Sequence, residues 1–353
     1  MPNLRVLHIL GELRPSGMER MLVSGAADFK ASGVAAHVAG FGVQHPYATE
    51  IRLAGYGVST TEQPLRSAAG RRFLARVIAD FRPDVVHLHS EGNYLQNVLT
   101  IRRIERAVPI VRTVHNVFTA RGKWFVSRFL QAVVADRFVR AVIVPSHDVA
   151  SNEERFARRV KVVYNWVDPR YFALTGAHPN DDPHDLSAPV VLVGNCSWIK
   201  NHDVVLEAAL MGGLRVAHVG SEDHAEPSEL RLLEELEKRG LLVSRGARDP
   251  ITTLVGGRVF AMPSVNEGMP VALAEALVVG LPAVVADAPG LRWAASQPGV
   301  TMVSSREPAV WLESLRRASR GTQALTVDFR PARGTAEYVE IYRAAVVRNG
   351  GTK

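Results

Sequence analysis

The feature that most constrains this chain is an alternation along its whole length. Short apolar, β-branched runs are separated by segments in which apolar residues recur at helical spacing. Short continuous apolar runs suit strands buried on both faces, and parallel strands need a helix to return between them. In the first half, strands are expected over 5–10, 35–41, 85–88, 110–115, 141–145 and 160–164, with helices over 19–31, 68–80 and 126–135. A polar tract, GAHPNDDPHDLSAP, then interrupts the pattern and reads as a linker. The alternation restarts with strands over 190–194, 215–219, 241–244, 258–262 and 283–286, and helices over 202–210, 228–239 and 270–279. A final helical stretch near 335–348 is long enough to cross back onto the first half.

At 353 residues the chain exceeds what one core usually supports. The expectation is therefore an α/β protein of two doubly wound, Rossmann-like domains facing each other across a cleft. Their bounds are 1–170, a linker over 171–188, and 189–334, with a C-terminal helix over 335–353 returning to the first domain.

A hydrophobic fraction of 47% supplies ample core and excludes a disordered or fibrous chain. The N-terminal run is short and broken by Arg5, so it reads as a first strand and lacks the layout of a signal peptide. The later apolar run over 269–286 carries Glu275 and Pro282 and is too interrupted for a membrane span. Cys196 is the single cysteine, which excludes an intrachain disulfide framework and a multi-cysteine metal site. A cytoplasmic location is expected. The net charge of +7 favours acidic partners such as nucleotides or an anionic membrane face. No zinc-finger spacing or basic-aromatic ladder accompanies it, so nucleic acid is not an expected partner.

The most informative segment is PSVNEGMPVALAEALVVGLP, 263–282. A strand ends in a loop, and a helix is expected to start near Met269 with Pro270 in its first turn. Glu267 then sits at a strand's carboxyl end beside a helix N-terminus with free backbone N–H groups. Glu275 lies in an almost wholly apolar helix, where an unpaired charge would cost several kcal/mol. A solvated loop glutamate is the ordinary alternative for Glu267; for Glu275 that alternative is weak.

In VVLVGNCSWIKNHDVVLEA, 190–208, a strand meets a glycine turn, and Lys200 with Asn201 precedes a helix. A lysine at a helix N-terminus opposes the helix dipole unless an anion joins it, and a diphosphate is such an anion. In GELRPSGMER, Ser16 and Glu19 have capping-box spacing around Gly17. Finally, PDVVHLHSEGN and VRTVHN set His87, His89 and His115 at strand ends, with Asn116 following. No carboxylate pattern accompanies these histidines, so no metal site is expected. His87 is expected to pack, and His89 is open between a core and a site role.

Together these segments resemble the Glu-x7-Glu signature and accompanying loops of the retaining glycosyltransferases of GT-B fold, family 4, in the right order and over essentially the whole chain. The resemblance implies that Glu267 contacts the transferred sugar and Glu275 the ribose. It implies that Lys200 clasps the diphosphate, and that Asn201, Ser264, Gly268, Met269 and Pro270 complete the donor site. Asn195 stands where the family has a second basic residue, an arginine. Either Asn195 gives a neutral hydrogen bond or another base such as Arg248 compensates. Gly17 matches one glycine of the family's Gly-Gly-x-Glu loop, and Glu19 its glutamate. His115 matches the histidine that reaches the reactive sugar; His89, Glu19 and Asn116 would line the acceptor side. Ser146, Asn165 and Asp168 would shape turns, and Trp166 stands where glycine is usual.

The implied activity is transfer, with retention, of a hexose or N-acetylhexosamine from a nucleotide diphosphate sugar, UDP being the commonest carrier. The receiver would be an unidentified hydroxyl acceptor, with no metal or other cofactor. A sugar-nucleotide 2-epimerase and a catalytically silent partner subunit are the rival readings; Asn195 alone favours the latter. The segment 120–140 mixes five basic residues with Trp124, Phe125, Phe129 and Phe138. It reads either as a peripheral membrane contact or as a half-buried helix with its arginines toward solvent.

Overall fold

The computed structural model describes residues 3–89, 93–117, 122–176, 187–319, 321 and 323–350, with backbone alone for 348–350. Of the expected linker, 177–186 lie outside the described residues, as do 120–121 of the basic-aromatic segment and 351–353 of the last helix. The chain divides into two compact units, Met1–Trp166 with Arg330–Lys353, and Val167–Phe329.

In the first unit the order is β1 (Leu4–Leu10), α1 (Gly17–Ala31), β2 (Val34–Phe41), α2 (Ala48–Leu53), β3 (Gly57–Thr61), α3 (Ala68–Phe81) and β4 (Val85–Leu88). There follow α4 (Tyr94–Ile104), β5 (Ile110–Thr113), α5 (Lys123–Ala135), β6 (Val139–Val144), α6 (His147–Glu153) and β7 (Val160–Val162). The sheet is ordered β3-β2-β1-β4-β5-β6-β7 with parallel pairs throughout. Its apolar strands are buried on both faces, as their unbroken Val/Ile/Leu runs require.

In the second unit the order is α7 (Pro169–Phe172), β8 (Val190–Val193), α8 (Asp203–Gly212), β9 (Val216–Val219), α9 (Pro227–Lys238) and β10 (Leu242–Ser244). Then come α10 (Ile251–Val255), β11 (Val259–Met262), α11 (Val271–Val279), β12 (Ala283–Ala286), β13 (Val300–Val303) and α12 (Pro308–Arg317). The six strands are again parallel, ordered β10-β9-β8-β11-β12-β13. The tract expected as a linker starts inside this unit: α7 packs on α11, Tyr171 is buried, and Thr175 donates to the Val278 carbonyl at 3.0 Å.

The last helix, α13 (Pro331–Gly350), packs on α1, β4, β5 and β6 of the first unit. Trp166 explains how it seats. Its indole is buried, donates to the Met21 carbonyl at 2.9 Å, and lies edge-on to Tyr338 and Phe29. A β-carbon on Gly334 would stand 2.3 Å from the indole Cε3, so α13 approaches this ring only through a glycine. Trp166, which stands where glycine is usual, is a core residue.

Three local expectations change. The strand expected over 110–115 ends at Thr113, so His115 stands in the following loop. Pro270 is the N-cap of α11 and its extended backbone precedes the first helical residue, Val271. Strand β3 was unexpected because GVSTT is polar; it is an edge strand, half-buried, where hydroxyls are tolerated.

Candidate active site

In an open parallel sheet the connections diverge where strand order reverses, and a ligand crevice opens there at the carboxyl ends. In the second unit that point lies between β8 and β11. The loops leaving these strands carry Lys200 and Glu267, and the fold brings them together. The Val265 amide donates to the Ile199 carbonyl at 2.8 Å, and the Asn201 side chain to the Pro263 carbonyl at 3.3 Å. Across this bridge Lys200 Nζ donates to Glu267 Oε1 at 2.6 Å. Glu267 is buried and the lysine mostly so, making this a charge-assisted bond worth on the order of 1–3 kcal/mol.

The Glu267 backbone is fixed from the other side. Its amide donates to the Pro289 carbonyl at 3.0 Å, and a β-carbon on Gly290, at φ 80°, would stand 2.0 Å from the Glu267 carbonyl oxygen. Only glycine fits there, on conformation and on space. Ser264, also buried, has a hydroxyl with no partner among the described residues, a donor and acceptor available to a ligand. Gly268 and Met269 are buried in the approach to α11, and Glu275 is buried within that apolar helix.

The position of the absent arginine is now explicit. Asn195 Oδ1 accepts the Ser221 amide at 2.9 Å, a neutral bond that ties the β8 loop to the β9 loop. Arg248 is exposed and donates to the Arg245 carbonyl at 2.6 Å.

The floor of the β8 loop is a buried polar cluster that sequence reading missed. Cys196 Sγ lies 3.5 Å from His218 Nε2, which is 3.1 Å from the Gly194 carbonyl, and His202 Nδ1 meets Glu229 Oε1 at 2.8 Å. Burial pushes the Cys196 thiol up and lowers His218 to about 4. Burial works to raise the Glu229 carboxyl, but its bonds to His202 and Cys196 outweigh that and hold it below the usual range. Cys196 is a packed, neutral thiol.

In the first unit the order reverses between β1 and β4. Here the side chains form an array of imidazoles. His8 Nδ1 lies 3.0 Å from His89 Nε2, and His89 Nδ1 lies 3.3 Å from His115 Nε2, with the His89 and His115 rings stacked. His87, opposite His8 in the β1–β4 register, uses both nitrogens, on Tyr342 of α13 at 2.6 Å and on Thr113 at 2.7 Å. Burial lowers His8 to about 3 and His115 to about 4, Arg112 adding to the latter. Burial and the neighbouring histidines hold His87 and His89 well below the ordinary value. All four are therefore neutral at pH 7. Each N···N contact needs one N–H, so the tautomer of each ring constrains the next. At the inner end, His8 Nε2 is buried with no partner among the described residues.

Two groups among the described residues have ligand atoms within 4.8 Å of one another, His8/His87/His89 and Cys196/His202/His218. In the first, both nitrogens of His87 and both of His89 are already in side-chain hydrogen bonds.

The remaining expected residues are less assembled. Ser16 caps α1, its hydroxyl accepting the Met18 amide at 3.3 Å and donating to the Glu19 carboxylate. Glu19 is buried and its carboxyl is raised by burial, with the Ser16 bond opposing. It serves the cap, beneath an exposed Gly17. Asn116 is exposed in the loop after β5. Ser146 and Asp168 cap α6 and α7. His8, Thr113 and Tyr342 had no sequence signal as site residues; Tyr342 lies 255 positions from the histidine it binds.

Both units resemble known proteins. Residues 15–171 match the family model Glycosyltransferase Family 4, and residues 188–320 match Glycosyl transferases group 1. Putative glycosyltransferase EpsF of Bacillus subtilis is 31% identical over 182 residues, 48% of this chain and 46% of that protein. The chain thus aligns with about half the length of this curated relative. A glycosyltransferase structure from Rickettsia africae superposes with a TM-score of 0.72 at 14% identity, covering 99% of this chain and 94% of that one. HepE of Anabaena, solved in complex with UDP-glucose, gives 0.71 at 17% identity, covering 99% of both. Glycosyltransferase family models thus match both units of the chain, in this order, and its fold is the GT-B fold of two Rossmann-like domains that these solved structures share over their whole length.

Proposed function

We propose that the chain is a retaining, metal-independent transferase that moves a hexose or N-acetylhexosamine from a UDP-sugar to a hydroxyl acceptor. The observation that carries this reading is the Lys200–Glu267 pair. Two loops 67 residues apart deliver a cation and a carboxylate to the switch point of the second sheet, 2.6 Å from each other. A nucleotide diphosphate competes with Glu267 for the lysine. Once its phosphates hold Lys200, the Glu267 carboxylate is released to accept from hydroxyls of the transferred sugar, while Glu275 accepts from the ribose. The backbone of Gly268 and Met269 and the Ser264 hydroxyl complete the set. The lean toward UDP rests on the HepE complexes with UDP and UDP-glucose.

The transfer is written as a front-face substitution. The bond from the anomeric carbon to the diphosphate oxygen breaks with its electron pair on that oxygen. The acceptor oxygen bonds to the same carbon from the same face, and the acceptor proton passes to the departing phosphate. Lys200 and the N–H groups before α11 oppose the charge that builds on the leaving group, the part a metal ion takes in other transferases. His115 hydrogen-bonds the transferred sugar as a neutral imidazole, with His89 and His8 fixing its tautomer.

Thermal shift against UDP, GDP and ADP, followed by nucleotide release from the matching sugars with and without hydroxyl acceptors, tests this. UDP is expected to raise the midpoint in the wild type and not in Lys200→Ala. An equal shift in both proteins would sink the assignment. Epimerised sugar formed without acceptor would convert it to the 2-epimerase reading.

A further inference from the structure

The helix α5 is amphipathic in the wrong sense for a domain helix. Val126, Phe129, Leu130 and Val133 recur at i, i+3, i+4 and i+7, the spacing of one helix face. That face points outward: the four are 56%, 44%, 60% and 44% exposed, and Trp124 in the first turn is 70% exposed. The inward face is made by the small Ala132 and Ala135, by Phe125 against Phe156, and by Arg128, which bridges to the buried Glu153. The arginine expected to face solvent is tucked in, and the large apolar side chains are out.

Charged groups frame this face. Lys123 and Arg137 are exposed at its two ends, and Arg155 is exposed with its guanidinium 5.0 Å from the Phe125 ring centre. Arg102 of the neighbouring α4 lies over Phe138 and close enough to Arg140 for each to feel the other's charge. Over residues 122–140, four basic residues stand against Asp136 alone.

We infer that the outer face of α5 docks this protein onto an anionic lipid bilayer, the helix lying along the surface. Apolar side chains with a Trp at one end suit the headgroup–acyl boundary, and a cationic frame suits anionic headgroups. A second copy of the chain is the weaker occupant. One helix face offers on the order of 400 Å², near the largest patch ordinary monomers carry, and short of the roughly 800 Å² per partner of a stable dimer. Two such faces would also bring like charges together. Among the described residues no helix is long and apolar enough to cross a membrane, so docking of this kind is peripheral.

Sedimentation of the full chain with phosphatidylglycerol-containing vesicles, with pure phosphatidylcholine vesicles, and alone in the ultracentrifuge tests the proposal. Wild type is expected to pellet with anionic vesicles at least tenfold more than with neutral ones, and less as salt rises. The double variant Val126→Glu/Leu130→Glu is expected to lose at least tenfold in partitioning with an unchanged melting midpoint, since both side chains are exposed. Lys123→Gln/Arg137→Gln is expected to lose on the order of thirtyfold and serves if the first pair fails to fold. Absence of pelleting on anionic vesicles, undiminished pelleting by both variants, or a wild-type dimer dissolved by the glutamates without vesicle binding would each overturn it.

Discussion

The two sheets share a topology up to the switch point, yet their carboxyl ends are built from opposite chemistry. The second unit presents an ion pair, Lys200 with Glu267, backed by the buried Glu275. The first presents neutral imidazoles, His115, His89 and His8 in series, with His87 pinned beneath them by Tyr342 and Thr113. An ion pair opens to a charged ligand because its members exchange partners at little electrostatic loss. A buried neutral chain offers directed hydrogen bonds and resists charge. One sheet topology thus carries an ion pair at one switch point and neutral imidazoles at the other, through a few residues at strand ends and in the loops that follow.

The comparison breaks most readily at the ion pair. Lys200→Ala and Glu275→Ala are each expected to lower kcat/KM by two or more orders of magnitude while the circular dichroism spectrum stays that of the folded chain. Lys200→Ala also strands Glu267, so Lys200→Ala/Glu267→Gln should recover stability while staying inactive. Near-wild-type turnover in either single variant would remove the donor assignment. At the imidazole end, His115→Ala is expected to cost about a hundredfold and His89→Leu about tenfold. His89→Leu should also change the tautomer signature of His115 in nitrogen-15 spectra; an unaltered signature would mean the chain does not act as one.

Acid sharpens the contrast. The buried histidines have folded pKa values below their unfolded value near 6.5, so below that pH the unfolded chain binds more protons and stability falls with falling pH. His8, lowered to about 3 in the folded chain, is expected to cost on the order of 2 kcal/mol at pH 5, with His87 and His89 acting in the same direction, read as a drop in the denaturant midpoint between pH 7 and pH 5. Replacing His87 with Phe should shrink that pH dependence. The smallest effect is expected at the last helix: Gly334→Ala should destabilise by about 1–3 kcal/mol, because its new methyl meets the buried Trp166. An unchanged midpoint would show that α13 seats without that contact.

The fold class was legible in the residues alone, and the proposed donor segment stood out there as a pattern. Apolar runs buried on both faces are legible because parallel sheets leave no polar alternation, and Glu275 is legible because a charge in an apolar helix needs a reason. Lys200 and Glu267 were each legible as candidate ligand groups, but their pairing was not; it follows from the β8–β11 switch point, which no local pattern states. The tertiary structure alone decided that Asn195 is spent on the Ser221 amide, that Gly290 shapes the Glu267 loop, and that Trp166 and Gly334 seat the last helix. It also joined His89 and His115 into one chain with His8 from a neighbouring strand, left His87 outside that chain, and turned the apolar face of α5 outward. Periodicity gives the face of an element but not which face meets the core, and contacts between residues far apart in sequence leave no mark on the residues around them.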